Sequence, residues 1–427
     1  MVVDTGQQAR LHGVRLLLAL VAAIVLGLNL RPAITSVAAL LDEIAVNQGL
    51  SPVDLILLSA LPVAAFGIAA PVIPPLAERF GIERSLLVAM VALAASLWLR
   101  AASPPLLLPG TFLAGIAIMC GSVLLPPYIK ALQVSKVWVG VMTATFGVGA
   151  ALGAALSRPL YSLSGDVNWT LGAWAVLALL AAAALVLPTA ESRRTRPIRS
   201  ANFRHLKTTF DSKTTAALVA GVFALQAMLF FSMTAWLPAM LVARGVAPSG
   251  AAGLLALFSA IGLIPNLILP VVAKWRTTFR TVAAVTGISI ALGLMFLAYG
   301  PPESAVWAAL WLGFFHAAAF GFAMVLLVDK AADVATSRKL SALSQGAGYL
   351  LGAAASALIG AIFAATGSWT GSIWVLAAIA VAFAAVTSVA LARPTLTGIT
   401  NAGPSSPAAD LGSETRRVLN QREMENK

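Results

Sequence analysis

The sequence has few charged residues and almost no cysteine. Charged residues make up 10% of the 427 residues, hydrophobic residues make up 59%, and the mean hydropathy is +0.91. So few charges cannot cover the surface of a soluble globule of this size, which excludes a soluble globular protein. The single cysteine, Cys120, lies within an apolar run, so an intrachain disulfide and a cysteine metal cluster are excluded as well.

Acidic residues are absent from the middle of every long apolar segment. We place Asp54 at the outer start of the second segment and Asp166 and Glu303 in outer loops, and we assign the other acids to cytoplasmic or terminal segments. The sequence shows no intramembrane carboxylate pair, no His/Glu cluster with metal-ligand spacing and no nucleotide-binding loop. It therefore predicts neither an enzyme nor a cofactor or metal site. A carrier of cationic drugs is also disfavoured, because it normally needs a buried carboxylate.

Long apolar runs recur along the whole chain. A membrane-crossing helix needs about 20 mostly apolar residues. The pattern predicts an all-α integral membrane protein with about twelve transmembrane helices. We expect them at residues 15–41, 53–77, 85–102, 104–129, 137–163, 168–188, 214–241, 250–273, 281–299, 304–328, 340–366 and 370–392.

The net charge of +12 follows the membrane topology. Nearly all Lys and Arg residues fall in alternate loops, and only Arg100 and Arg244 fall in the predicted outer loops. Under the positive-inside rule this pattern places both termini in the cytoplasm. The basic segment 189–213 is interpreted as a cytoplasmic linker that touches anionic lipid headgroups, and nucleic acid is not expected as a partner.

A sequence repeat divides the chain into two halves. GVGAALGAALS at residues 147–157 and GAGYLLGAAAS at residues 346–356 are identical at seven of eleven positions. These segments lie in the fifth and eleventh predicted helices, which indicates two six-helix bundles in parallel orientation with a substrate site between them. The predicted domains are an N-terminal bundle at 1–188, the linker at 189–213, a C-terminal bundle at 214–392 and a disordered cytoplasmic tail at 393–427. Chance similarity between Gly/Ala-rich helices is the alternative.

Several motifs resemble those of a known transporter group. The segment PLAERFGIER at 75–84 resembles the loop signature of the major facilitator superfamily, although Glu78 replaces the usual Asp. NLRPAITS at 29–36, VLLP at 123–126, and LSQ at 343–345 followed by Gly348-Tyr349-Leu350 are similar to the cyanate and 2-nitroimidazole transporter family within that superfamily. The resemblance implies a gradient- or proton-driven secondary transporter of small polar, often anionic solutes in a bacterial inner membrane. It also implies a cytoplasmic gate at Glu78, Arg79 and Arg84, for which solvated loop charges are the alternative.

Arg31 is the main candidate for a substrate-binding residue. It lies deep inside the first predicted span, where a charge is costly unless it faces a cavity or a partner. Thr35 is four residues further along the helix and on the same face, and Asn29 is close by. Pro32 cannot donate its backbone hydrogen bond, which predicts a kink. The forked guanidinium suits a planar anion; a clamp between helices is the alternative.

Polar residues of the second half could complete the site. Gln226 in the seventh span, and Gln345 and Tyr349 in the eleventh, could line the cavity or bond helix to helix. His316 in the tenth span is a candidate proton carrier or a packed histidine. Arg158 is expected to snorkel outward, and Trp236 to anchor at the membrane interface or to line the pocket.

Two transport functions remain open. The first is a monomeric carrier that moves a small polar or anionic solute, such as cyanate or a small organic anion, by alternating access. The second is an efflux carrier for nitroimidazole- or drug-like compounds on the same fold. A receptor that binds its ligand without moving it is a further possibility, and an intramembrane enzyme is disfavoured.

Overall fold

The computed structural model describes residues 5–132, 134, 137–192, 208–272, 275–332 and 334–400. Nearly all of this chain is helical. Its described part contains eleven segments that are long and apolar enough to cross a membrane, and they match eleven of the predicted spans. The remaining predicted span corresponds to the 28-residue helix Val137–Ser164. The all-α membrane architecture is therefore confirmed.

The described residues form seventeen α-helices, and several spans consist of two of them. In chain order the helices are α1 Thr5–Asn29, α2 Pro32–Ala39, α3 Leu41–Gln48, α4 Pro52–Ala69, α5 Ile73–Phe80, α6 Ile82–Ala102, α7 Leu107–Ala131, α8 Val137–Ser164, α9 Val167–Ala173, α10 Ala175–Ser192, α11 Lys213–Val242, α12 Pro248–Ile261, α13 Leu263–Val272, α14 Arg276–Tyr299, α15 Ala305–Asp329, α16 Val334–Thr366 and α17 Trp369–Ala392. We call the side where α10 ends and α11 begins the linker side, and the opposite side the far side.

The sequence repeat has equivalent packing roles in the two halves. Helix α8 packs against α1 and α2, and α16 packs against α11, so each copy of the repeat contacts the first span of its own half. The contacts are close at the shared glycines. A Cβ atom at position 153 would lie 2.2 Å from Oγ1 of Thr35, and one at position 348 would lie 2.5 Å from Cδ1 of Phe223. Small residues are needed there because the helices approach so closely.

The same two helices also join the halves to each other. Helix α16 packs on α4, and α8 packs on α12, which gives the interface an approximate twofold arrangement. On the far side the two halves are in hydrogen-bond contact, because Oγ of Ser356 donates to Oγ of Ser59 at 3.2 Å. All eight residues of α2 are buried, as is α11 from Phe231 to Pro238. The far half of the interface is therefore closed.

A short strap crosses the linker side. Strand β1, Thr208–Phe210, pairs antiparallel with β2, Gly398–Thr400. The Asp211 carboxylate accepts hydrogen bonds from Oγ1 of Thr397 at 2.6 Å and from its backbone N at 3.1 Å. The hydrogen bond from the Thr397 side chain has the largest effect and lowers the pKa of Asp211, and the bond from the Thr397 backbone lowers it further.

The strap is also attached to the tenth span. The backbone N of Leu396 donates to the carbonyl of Lys330 at 2.7 Å, and Nζ of Lys330 donates to the carbonyls of Leu391, at 3.1 Å, and Arg393. The prediction of a disordered tail from residue 393 is therefore wrong up to residue 400, because backbone pairing orders this segment. Residues 401–427, and most of the predicted linker, lie outside the described residues.

The repeat packing leads to a stability prediction. We expect Gly153→Ala to destabilise the protein by about 1–3 kcal/mol, because the added methyl overpacks the contact with α2. Gly253 is the matched control, since a Cβ atom there meets no atom within 4 Å, and we expect Gly253→Ala to leave the thermal midpoint equal or slightly higher. Thermal unfolding of both variants in detergent tests this. Equal midpoints for the two variants would contradict it.

Candidate functional site

The first span is broken at Arg31. Helix α1 ends at Asn29 and α2 begins at Pro32, so Arg31 caps the second helix with φ −127° and ψ −31°. The proline lacks an N–H group and cannot continue the hydrogen-bond pattern of α1. The Arg31 carbonyl accepts from the backbone N of Thr35 at 3.2 Å and from its Oγ1 at 3.3 Å. The predicted kink is thus a full break.

The guanidinium of Arg31 lies against the second half of the protein. Its central carbon is 5.0 Å from the ring centroid of Phe230 and 5.5 Å from that of Phe231, both on α11. These are cation–π distances. Asp42 and Glu43 form ion pairs with Arg158 rather than with Arg31.

Phe230 and Phe231 belong to a group of five aromatic side chains in mutual ring contact, and we call this group the aromatic cluster: Phe66, Phe223, Phe230, Phe231 and Tyr349. The Tyr349 ring lies 5.6 Å from Phe66, 5.4 Å from Phe223 and 5.8 Å from Phe231, all edge to face. One member belongs to the first half, and the others belong to α11 and α16 of the second. Arg31, Phe230 and Tyr349 stay partly exposed. The cluster therefore presents ring faces and one cation between the two halves.

The two glutamines lie one helical turn from this cluster. Gln345 precedes Tyr349 on α16, is partly exposed, and its Nε2 donates to Oγ of Ser341 at 3.3 Å. Gln226 precedes Phe230 on α11 and is buried. Helical spacing of four residues puts each glutamine on the same face as its aromatic neighbour. The structure thus brings Gln226, Gln345 and Tyr349 to the same region as Arg31.

Asn29 and Thr35 face other helices of the first half. Nδ2 of Asn29 donates to the carbonyl of Val25 at 2.8 Å and to that of Leu177 in α10 at 3.0 Å. Thr35 is buried at the close contact with Gly153 of α8. Both residues are placed to hold the break in position, while Arg31 alone of the three reaches the aromatic cluster.

His316 is packed inside the second half. It is 1% exposed, its Nδ1 lies 2.7 Å from the carbonyl of Leu312, and its ring centroid is 5.5 Å from that of Phe258. Its Nε2 is buried and has no hydrogen-bond partner among the described residues. The bond to the preceding turn is the arrangement expected for a packed, helix-bonded histidine.

The predicted gate residues follow the second span on the linker side. Arg79 is exposed at the end of α5, with its guanidinium 5.3 Å from the Phe80 ring centroid, and Arg84 is exposed in the first turn of α6. Gly81 makes the turn between the two helices with φ +89°, a conformation that favours glycine. Glu78 lies on α5, and its side chain is outside the described part of the structure.

Two sequence-based interpretations of the far side need correction. Arg158 does not extend outward alone: it donates to the carbonyl of Ala39 at 3.1 Å and forms ion pairs with Asp42 and Glu43. Those two acids begin α3 on the far side, so their assignment to cytoplasmic or terminal segments is wrong. The reason is that the first span ends at Ala39 and the chain turns immediately into α3.

The placements of Arg100 and Trp236 are also corrected. Arg100 is not in an outer loop, because α6 continues through it and its side chain is 1% exposed. Trp236 is not an interfacial anchor, because it is buried against α16 and its Nε1 donates to the carbonyl of Ser356 at 2.9 Å. Hydropathy located both residues near span ends but carried no information about their partners on other helices.

The described residues contain no group of three or more His, Cys, Asp or Glu side chains that could hold a metal ion. The groups described above near the boundary between the two halves are a cation, aromatic rings and amides.

The chain matches the family model described as the Major Facilitator Superfamily over residues 16–351. Among curated proteins it is 30% identical over 365 residues to the 2-nitroimidazole transporter of Escherichia coli (strain K12), which covers 84% of this chain and 92% of that protein. It is 27% identical over 358 residues to the cyanate transport protein CynX of the same organism, covering 82% and 91%. The uncharacterized transporter YycB of Bacillus subtilis (strain 168) is 29% identical over 361 residues, covering 83% and 89%.

Solved structures with the same fold are similar at low sequence identity. A D-xylose–proton symporter superimposes with a TM-score of 0.68 at 17% identity, covering 87% of this chain and 96% of that one. The nucleoside transporter NupG superimposes with a TM-score of 0.66 at 14% identity, covering 87% and 99%. At these identities the likeness shows the fold.

The packing of His316 leads to the second prediction. We expect His316→Phe to leave the thermal midpoint unchanged or raised, because a phenyl ring fills the same place beside Phe258 and leaves no buried nitrogen without a partner. His316→Ala is the control and should lower stability by about 2 kcal/mol or more through the cavity it creates. A marked loss of stability in His316→Phe would show that the imidazole makes an essential polar contact.

Proposed function

Because the chain belongs to the Major Facilitator Superfamily, we propose that it is a secondary transporter that moves a small polar or anionic solute by alternating access. The one observation that carries the solute class is Arg31. It is a partly exposed cation between the two halves, and the nearby acids Asp42 and Glu43 of the first half pair with Arg158 instead. A negatively charged group of the solute would complete the pairing that the protein does not supply.

The proposed solute site consists of Arg31 with Tyr349, Gln345 and Gln226. The forked guanidinium would bind a carboxylate, cyanate or similar group, and the amides and the phenol would accept or donate further hydrogen bonds. Asn29 and Thr35 would support the site from behind by holding the helix break, since their side chains bond to Leu177 and Arg31 carbonyls.

A second candidate solute class is a planar ring compound such as a nitroimidazole. The aromatic cluster favours it, because aromatic rings pack well against a flat ring and the adjacent guanidinium can bind the nitro oxygens. The similarity to the 2-nitroimidazole transporter supports the same candidate. Under this proposal Arg31 contacts the polar substituent and the rings contact the heterocycle.

Alternating access is supported by the unequal burial along the interface. All of α2 is buried, and so is the stretch of α11 from Phe231 to Pro238. Arg31, Phe230 and Tyr349 remain partly exposed. We propose that Glu78, Arg79 and Arg84 act in the gate on the linker side when the protein converts to its other state. We further propose a monomer in a bacterial inner membrane, and the distribution of Lys and Arg supports placing both termini in the cytoplasm.

The role of Arg31 is tested by counterflow. Liposomes that contain the purified protein and unlabelled cyanate, benzoate or 2-nitroimidazole should accumulate the same labelled compound. We expect Arg31→Ala to reduce the accumulation by more than about tenfold, because loss of a hydrogen bond to a charged group costs about 1.5–3 kcal/mol. Arg31→Lys keeps the charge but not the forked group. Its accumulation should lie between that of the unmodified protein and that of Arg31→Ala. Normal counterflow in Arg31→Ala, with normal purification yield, would refute the proposed site.

The candidate proton carrier is tested in the same assay. The His316 ring is buried, its Nδ1 is bonded to its own helix, and the ring packs against Phe258 of α12. We therefore expect His316→Gln to keep the pH dependence of counterflow. A pH-independent His316→Gln variant would instead assign proton transfer to this histidine.

A further inference from the structure

Arg100 is a buried cation that the proposed function does not use. It lies in the last turn of α6 and is 1% exposed. Its Nη1 donates to the carbonyl of Ala33 at 2.7 Å and its Nη2 to the carbonyl of Leu171 at 3.3 Å. Burying a guanidinium among apolar helices is costly, and these two hydrogen bonds offset part of that cost.

Both carbonyls that Arg100 binds lie beside helix breaks. Ala33 is in the first turn of α2, two residues after Arg31. Leu171 is in the last turn of α9, before the sixth span breaks at Trp174. Carbonyls in the last turn of a helix lack their usual intrahelical partner. A single forked side chain therefore fastens the broken first span to the broken sixth span.

The same break is held a second time from its other end. Nδ2 of Asn29, two residues before Arg31, donates to the carbonyl of Leu177 in α10, which is also part of the sixth span. The two ties flank Arg31 on both sides along the chain. Arg31 itself contacts rings on α11, which belongs to the other half of the protein. The break is thus fastened to the sixth span of its own half, while the Arg31 side chain contacts the second half.

The backbone of Arg100 is itself held in place. Gly110 of α7 packs against it so closely that a Cβ atom there would lie 2.6 Å from the Arg100 nitrogen. The guanidinium therefore starts from a fixed point on α6. A site residue must be held to within a fraction of an ångström by the groups behind it if it is to bind with full strength.

We propose that Arg100 is a positioning residue that orients Arg31 toward the cleft between the two halves, with Asn29 as the second tie. The proposal rests on the solute site at Arg31. Lysine cannot replace Arg100, because its ammonium is a single point charge and lacks the planar fork that spans two carbonyls. Loss of the fork lets the break rotate and turns position 31 away from the cleft.

The test measures the orientation of position 31 without any solute. Arg31→Cys is introduced into a Cys120→Ser background, and the rate of reaction with a small charged methanethiosulfonate reagent is measured in liposomes. We expect the added change Arg100→Lys to lower this rate by about tenfold, in line with the sensitivity of sites to small misplacements. Asn29→Ala should lower it several-fold through loss of the other tie, and it is the second variant to use if Arg100→Lys does not fold.

Arg158→Lys is the matched control. Arg158 also donates to a carbonyl of the first span, that of Ala39, but at the far end of α2 and away from the break. We expect Arg158→Lys to lower the thermal midpoint without changing the rate at which position 31 is labelled. If Arg100→Lys and Asn29→Ala lower only the midpoint, as Arg158→Lys does, the positioning role is refuted and these residues serve stability alone. Because labelling needs no solute, this outcome is distinct from failure of the counterflow test, which would refute the proposed function.

Discussion

The structure depends on one constraint: a helix that is interrupted within a bilayer must have its polar groups satisfied by the protein, because lipid offers no hydrogen bonds. The break at Arg31 meets this constraint in several ways. Thr35 bonds the Arg31 carbonyl, Asn29 bonds the sixth span, and the Arg100 guanidinium joins the Ala33 carbonyl to that span. With the backbone secured on this side, a charged side chain can be held against aromatic rings of the opposite half.

The architecture was largely predictable from the sequence, because crossing a membrane imposes a length and an apolar composition on each helix. The spans follow from patterns local to the chain. The repeat at 147–157 and 346–356 was also visible in the sequence, and in the structure each stretch packs against the first span of its own half. Arg31 was found for a similar reason, since a charge in the middle of an apolar run is conspicuous.

The partners of the polar residues were less predictable, because a side chain near the end of a span has the same hydropathy whether it faces water or another helix. Arg100 therefore read as a loop residue, although its acceptors are 67 and 71 positions away in the sequence. Asp42 and Glu43 were misassigned because the early end of α2 was not visible in the apolar pattern, and this hid their pairing with Arg158. The aromatic cluster contains residues from three separate spans, so the spacing of residues within any one span could not predict it.

The strap has a mechanical consequence for the second half. By joining β1, which immediately precedes α11, to β2, which follows α17, it ties the first and last spans of that half together. Lys330 adds the end of α15 to the same junction through the carbonyls of Leu391 and Arg393. The strap therefore couples the linker-side ends of three spans, so that displacing one of these ends requires the other two to move or the strap to break.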